Sequence, residues 1–172
     1  VKDSFIDPIN TFQTNIIGTA NILEAARKVQ NVKSIIVVTS DKCYENMEIN
    51  YAYKENDKLG GFDPYSSSKG CAELVASSFY RSFFKRQRVG LATVRAGNVI
   101  GGGDWSSNRL IPDIMRALSM GEDFQIRNPN AIRPWQFVLE PLVGYLKLCE
   151  KNWENHDKYS GAWNFGPNLG TR

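Results

Sequence analysis

Histidine is almost missing from this chain: His156 is the only one in 172 residues. It falls in the polar stretch Lys151-Asn152-Trp153-Glu154-Asn155-His156-Asp157-Lys158, which reads as exposed loop, so a Ser-His-Asp or Cys-His nucleophile has little support. Cysteine is scarce as well. Cys43, Cys71 and Cys149 stand at irregular spacings that describe neither a disulfide framework nor, with one histidine, a metal-ligand cluster. A reduced, cytoplasmic setting is expected. Only Cys43, beside Lys42, has a neighbour that would favour the thiolate, and a passive role is the simpler reading. An excess of one charge is also lacking, since 21 Lys and Arg face 18 Asp and Glu for a net +3. The basic residues are scattered and leave no nucleic-acid footprint. No apolar run reaches the ~20 residues of a membrane span, and no secretory signal opens the chain, so no membrane partner is expected. Repeats and low-complexity tracts are absent.

One absence bears on cofactors. A doubly wound nucleotide-binding fold begins with strand, Gly-rich turn and helix, the turn cradling pyrophosphate at the helix N-terminus. Gly101-Gly102-Gly103 is the one dense glycine cluster, but it follows a late strand, runs into Asp104-Trp105-Ser106 and lacks the third glycine of the fingerprint. It reads as a flexible turn that lets backbone approach a ligand or the sheet. The expectation is an internal fragment of a larger enzyme, or the remainder of one after proteolysis.

What is present reads as alternating helix and strand. Asp7 as cap, Pro8 in the first turn, and Ile9, Phe12, Ile16, Ala20, Leu23 and Ala26 at helical spacing predict a helix over Pro8 to Val29. The β-branched run from Ser34 to Thr39 predicts a buried parallel strand, Pro64 to Arg86 a long helix, and Val89 to Ala96 a second strand. A helix over Leu110 to Met120, strands at Phe124 to Arg127 and Trp135 to Leu139, and a helix over Glu140 to Lys151 follow. The polar loop between the first strand and the long helix is compatible with closure over a substrate and with a plain surface connection. With 42% hydrophobic residues the chain can bury one core.

Tyr65-Ser66-Ser67-Ser68-Lys69 opens the long helix, behind Pro64. Residues four apart share a helix face, so the Lys69 ammonium is expected to lie near the Tyr65 phenol and favour its ionised form, making the tyrosine a base. An exposed lysine beside a packed tyrosine gives the same spacing. Ser40, at the end of the first strand, offers a small hydroxyl that can both donate and accept.

Other segments join this pair in a recognisable order: Asn15-Ile16-Ile17-Gly18-Thr19-Ala20-Asn21, Thr39-Ser40-Asp41-Lys42-Cys43-Tyr44, Arg95-Ala96-Gly97-Asn98-Val99-Ile100-Gly101, Asn108-Arg109-Leu110-Ile111-Pro112, Arg133-Pro134-Trp135-Gln136-Phe137-Val138 and Trp163-Asn164-Phe165-Gly166. They resemble the extended, nucleotide-sugar-modifying branch of the short-chain dehydrogenase/reductase superfamily, and within it the sugar-nucleotide 4,6-dehydratases. Asp41-Lys42 is similar to the pattern of those acting on CDP-glucose, whereas those acting on dTDP-glucose or GDP-mannose usually carry Asp-Glu or a Glu-containing equivalent.

The resemblance implies an α/β fold, a partial doubly wound Rossmann-like parallel sheet with a smaller C-terminal substrate lobe. Residues 1–97 would form the partial dinucleotide-binding domain, and 98–172 mainly the substrate lobe, interleaved with the sheet. It implies NAD as cofactor, held by Asn15, Ser40, Tyr65 and Lys69, and catalysis by Ser40, Asp41, Lys42, Tyr65 and Lys69. Asn98, Arg109 and Arg133 would bind the nucleotide-sugar, CDP-glucose, with Arg95 a lesser candidate and Trp105 and Trp135 bordering the nucleotide. The implied assembly is a homodimer or higher homo-oligomer packed through the helices near 8–29 and 65–86. The implied reaction is a hydro-lyase reaction in deoxysugar synthesis: transient C4 oxidation, loss of water across C5 and C6, and hydride return to C6. Two alternatives stay open. A 4-epimerase or keto-reductase on this scaffold needs Tyr65 and Lys69 but has no use for an acid/base pair at 41 and 42, and a non-catalytic protein of the same fold would bind a nucleotide without turnover.

Overall fold

The computed structural model describes residues 1–49, 51–126, 128–131 and 133–167. A short helix α1 (Lys2–Ile6) precedes α2, residues 8–28, built from α-helical Pro8–Phe12 and Gly18–Lys28 around a π turn at Gln13–Ile17. Strand β1 (Ser34–Val38) leads through a 3-10 turn, Asp41–Cys43, and a long loop to α3, residues 64–87, in which Pro64–Phe79 and Lys85–Gln87 flank a second π turn at Tyr80–Phe84. Then come β2 (Gly90–Ala96), β3 (Val99–Ile100), α4 (Leu110–Met120), β4 (Gln136–Phe137), α5 (Leu139–Glu154), α6 (His156–Tyr159) and β5 (Gly161–Phe165).

The three longer strands form one parallel sheet in the order β1-β2-β5, with Val38 opposite Val94 and Val94 opposite Trp163. Side chains alternate across a strand, and helices pack on both faces of this sheet; β1, expected to be buried, stands at its edge, is only half-buried, and leaves Val38 56% exposed. Leu91 packs with Leu23 of α2 and Ala76 and Phe84 of α3 on one side; Ala92 and Val94 pack with Leu148 of α5 and with Tyr145, Trp163 and Phe165 on the other. This is the doubly wound arrangement, and it explains why Ile35-Ile36-Val37 reads as an unbroken apolar run. The segment after residue 97 forms a small parallel pair, β3 with β4, before α5 and β5 return to the main sheet. Among the described residues no helix is long and apolar enough to cross a membrane.

Three expectations are corrected here. Residues 124–126 form no strand: Phe124 and Ile126 are exposed and lie in no ladder, because a short apolar run without a hydrogen-bonding neighbour has nothing to hold it extended. Arg127 lies outside the described residues. The strand expected over Trp135 to Leu139 shrinks to the two residues that face β3, and α5 starts at Leu139. His156 is not in an exposed loop. It opens α6, capped by the Asn155 side chain, and is half-buried; its carbonyl accepts from the Tyr80 hydroxyl at 3.2 Å. Fully buried Asn152, whose amide oxygen accepts from the Ser160 hydroxyl at 3.0 Å, anchors this segment against the sheet.

Candidate active site

Strand β1 ends at Val38 and β2 at Ala96, so Ser40, Asp41 and Asn98 emerge together from the C-terminal edge of the sheet, where open α/β sheets bind ligands. Tyr65 arrives from the other direction. Asp63 caps α3, accepting from the Ser66 amide at 3.0 Å and the Ser66 hydroxyl at 2.6 Å, and Pro64 occupies the first turn. The cap aims the first turn at the strand edge and brings the Tyr65 phenol into hydrogen-bonding reach of Ser40. Ser40 also shapes its own turn, its hydroxyl accepting from the Lys42 amide at 3.2 Å and donating to Asp41 at 3.0 Å. Lys42 Nζ lies 3.6 Å from Asp41 Oδ1, with both side chains partly open to solvent.

Lys69 stands one turn after Tyr65, its Nζ 5.8 Å from the centre of the Tyr65 ring, as the four-residue spacing predicts. The electrostatic outcome differs from the expectation. Burial pushes the Tyr65 phenol above its ordinary pKa, Asp41 and Asp63 push the same way, and the Ser40 hydrogen bond and Arg109 offset only part of this. Burial also lowers the pKa of Lys69. In the free protein burial therefore outweighs the cation four residues on, and the neutral phenol is favoured.

Asn15 meets the site from behind. Its amide donates to the Ser68 hydroxyl at 2.8 Å, and that hydroxyl donates to the Tyr65 carbonyl at 2.7 Å, so Asn15 braces the turn that carries the tyrosine. The backbone of residues 134–136 packs on Gly97 and Asn98: the Gln136 amide donates to the Asn98 carbonyl at 3.1 Å, and a Cβ on Gly97 would come within 2.6 Å of Pro134 and 3.5 Å of the Asp41 carboxylate. Asn98 Oδ1 is buried without a partner among the described residues, an acceptor waiting for a donor. Arg109 is near enough to act on Tyr65 yet largely exposed, paired with Asp104 at 2.9 Å. Arg133 is exposed at the start of the segment that crosses Gly97. Trp105 is exposed and Trp135 half-buried.

Two candidates fall away. Arg95 is no phosphate clamp: its side chain, 3% exposed, makes two hydrogen bonds to Glu73 at 2.8 Å each, because it lies on the α3 side of β2, where Thr93 also points. Cys43 is no reactive thiol either, since full burial pushes it up to about 12 in spite of the nearby Arg95 cation.

Sequence reasoning missed the group that surrounds Arg95. The Glu73 carboxylate accepts from Thr39, from Thr93 at 2.6 Å and from Arg95; burial pushes its pKa up, but these donors outweigh it and hold the carboxyl below the usual range. The second arm of Arg95 donates to the Tyr44 hydroxyl at 2.7 Å and the Glu55 carbonyl at 3.0 Å, while Tyr44 donates to Asn164 at 2.7 Å. Glu73 stands four residues beyond Lys69, and Thr93 and Arg95 share one strand face. Those two periodicities were the available signal. The same network tethers the loop after Tyr44, which stacks on Tyr53 at 5.1 Å and bridges to Leu59.

Comparison with known proteins places the chain in a family. The family model described as GDP-mannose 4,6 dehydratase matches residues 1–161. A CDP-glucose 4,6-dehydratase of Salmonella typhimurium is 53% identical over 97% of this chain and 48% of its own length, and a dTDP-D-glucose 4,6-dehydratase of Dictyostelium discoideum is 30% identical over 96% and 39%. Among solved structures, a dTDP-glucose 4,6-dehydratase from Streptomyces venezuelae with NAD bound superposes with a TM-score of 0.82 at 21% identity, over 98% of this chain and 49% of that one. A UDP-N-acetylglucosamine 4-epimerase from Methanobrevibacter ruminantium superposes at 0.80 with 26% identity, over 96% and 51%. The fold is therefore the Rossmann-like one, and the chain spans about half the length of these relatives.

Proposed function

We propose that this chain, which belongs to the GDP-mannose 4,6-dehydratase family, carries the catalytic machinery of an NAD-dependent sugar-nucleotide 4,6-dehydratase whose substrate is CDP-glucose. The observation that carries the reading is the meeting, at one sheet edge, of the Tyr65/Lys69 pair with the Ser40-Asp41-Lys42 turn. The first set serves oxidation at a carbinol. The second supplies an acid and a base side by side, which elimination of water requires and simple epimerisation does not. The CDP-glucose 4,6-dehydratase of Salmonella typhimurium, 53% identical, supports the choice of nucleotide.

NAD fits the residues present. Lys69 is half-buried, has no carboxylate partner among the described residues, and keeps its donors for a ligand's hydroxyls, with Tyr65 beside it and Ser40 within hydrogen-bonding reach of that phenol. When bound, NAD supplies hydride acceptance from C4, hydride return to C6, and a positive charge that favours the Tyr65 phenolate. Tyr65 takes the C4 hydroxyl proton, with Ser40 sharing that hydroxyl and Lys69 and Arg109 stabilising the phenolate. The resulting C4 carbonyl acidifies C5. With the proton of the pair on Asp41, Lys42 takes the C5 proton and Asp41 gives its proton to the departing C6 hydroxyl, so one C–H and one C–O bond break and water leaves; Lys42 returns its proton to C5 as C6 becomes a methyl, and the proton that Tyr65 took restores Asp41. Asn98, Arg109 and Arg133 hold the nucleotide-sugar, guanidinium groups suiting diphosphate oxygens. The unpaired Asn98 oxygen suits a hydroxyl donor on the sugar. Apolar side chains that α2 and α3 leave exposed, among them Ile17, Ile22 and Leu74, support a homodimer through these helices, and three unpaired cysteines accord with a cytoplasmic setting.

The full-length protein incubated with CDP-glucose and NAD should yield a 4-keto-6-deoxy product one water lighter by mass spectrometry. An isomer of unchanged mass assigns the chain to the epimerases and overturns the reading.

A further inference from the structure

The reading above leaves unused the most heavily bonded polar group of the interior. Glu73 and Arg95 are each 3% exposed, and their contacts fall on both sides of one short segment. Thr39, directly before Ser40, donates to Glu73. Tyr44, directly after the Asp41–Cys43 turn, accepts from Arg95 at 2.7 Å and lies under its guanidinium, 4.8 Å from the ring centre. Between these two grips lie Ser40, Asp41 and Lys42. The carboxylate that closes the pair belongs to α3, one turn beyond Lys69 and two beyond Tyr65. One ion pair thus touches the strand entering the turn, the residue leaving it, and the helix that carries the other half of the site.

We propose that the Glu73–Arg95 pair is the positioning element of the elimination step: it grips the Asp41-Lys42 turn at both ends, through Thr39 and Tyr44, and sets it against the helix that carries Tyr65 and Lys69. The proposal rests on the dehydratase reading. Tyr65 has separate anchors, the Asp63 cap and the Asn15–Ser68 brace, and Ser40 follows Thr39, which Glu73 holds directly, so loosening the grip at the far end, Tyr44, bears on Asp41 and Lys42 more than on the oxidation machinery. A rotation of the turn moves Asp41 and Lys42 away from C6 and C5, and a displacement of about 1 Å at reacting groups costs on the order of a hundredfold in rate. A bidentate guanidinium is suited to this task because it holds Glu73 with one edge and Tyr44 with the other, which a lysine ammonium does not reproduce.

Two variants of the full-length protein test it. Tyr44→Phe keeps the ring under Arg95 but removes the hydroxyl that Arg95 holds; Arg95→Lys keeps the charge opposite Glu73 but loses the fork. Each is mixed with NAD and CDP-glucose deuterated at C5, and cofactor reduction in a single turnover is followed beside deuterium loss and 6-deoxy product. Both variants should reduce the cofactor within about threefold of the parent and lose C5 exchange by about ten- to a hundredfold, with the unfolding midpoint of Tyr44→Phe near the parent's. Elimination and oxidation falling in equal proportion, or neither falling, in both variants would make the pair a structural brace and overturn the proposal. A parent protein that reduces cofactor yet never exchanges C5 overturns the dehydratase reading itself and this inference with it, so the two failures are distinguishable.

Discussion

Arg95→Met is the sharpest thermodynamic test of the interior. The substitution keeps a long side chain of similar bulk but leaves the Glu73 carboxylate, 3% exposed, with the Thr39 and Thr93 hydroxyls as its remaining donors. Breaking a buried ion pair by removing one partner costs about 3–5 kcal/mol, a large share of the 5–15 kcal/mol that a domain typically has. In the parent, burial pushes the Glu73 pKa up, but the donors hold it below its unfolded value. That carboxylate therefore adds stability above the unfolded carboxyl pKa of about 4.3, and the contribution is lost as the pH falls through the lower folded value. Removing Arg95 takes away the largest downward influence, so the Glu73 pKa of the folded variant rises above the parent's and the pH at which its charge is lost moves up with it. Urea midpoints measured between pH 7 and pH 5 should show Arg95→Met well below the parent at pH 7 and closing the gap as the pH falls. Glu73→Gln added to Arg95→Met removes the stranded charge and should regain part of the loss. A variant within about 1 kcal/mol of the parent at pH 7, with the parent's pH trend, would refute this account of the pair.

Tyr65→Phe should lower hydride transfer at least about a hundredfold while nucleotide-sugar affinity stays within a few-fold, measured as single-turnover cofactor reduction and by calorimetry. Because burial holds the Tyr65 phenol above its ordinary pKa in the free protein, the ultraviolet phenolate signal lost in Tyr65→Phe should appear only at strongly alkaline pH and shift downward on addition of NAD. Lys42→Ala should still reduce the cofactor but form no 6-deoxy product, and product at the parent rate would remove Lys42 from the elimination. Cys43, fully buried and pushed up to about 12, should resist maleimide in the folded protein, whereas half-buried Cys71 and Cys149 label first; mass spectrometry of the labelled peptides reads the order.

The main α/β elements were legible because their signals are local: a β-branched run for β1, capping by Asp7, Pro64 in the first turn of α3, and apolar spacing along 8–28. Tyr65 and Lys69 were legible as a pair for the same reason, since four residues on a helix fix a distance. Their electrostatics were not. The phenol's pKa depends on how deeply the surrounding chain buries it, a property of packing that no spacing encodes. Arg95 misled because an isolated arginine in a sequence carries no mark of its partner; Glu73 lies 22 residues away and meets it only when α3 docks on β2. The residues at 124–126 misled in the opposite sense, having strand composition without a neighbouring strand.

The π turn at Gln13–Ile17 makes the first long helix a counting device. The Gly18 amide reaches back five residues to the Gln13 carbonyl, and the Thr19 hydroxyl takes the Asn15 carbonyl at 2.7 Å. The widened turn accommodates one residue more than a regular helix of the same length, and Asn15 stands inside it. Deleting one residue from 13 to 17 would restore a regular helix of the same length with its flanks in place, so the loss would fall on the side chains that the extra residue positions. Such a helix would be regular, and by its own hydrogen bonds more comfortable, yet the Asn15 amide would no longer meet Ser68. The irregularity is thus the part of α2 where a change of length is felt locally: substitutions there can be graded, but a deletion acts as an all-or-none change on the support beneath Tyr65.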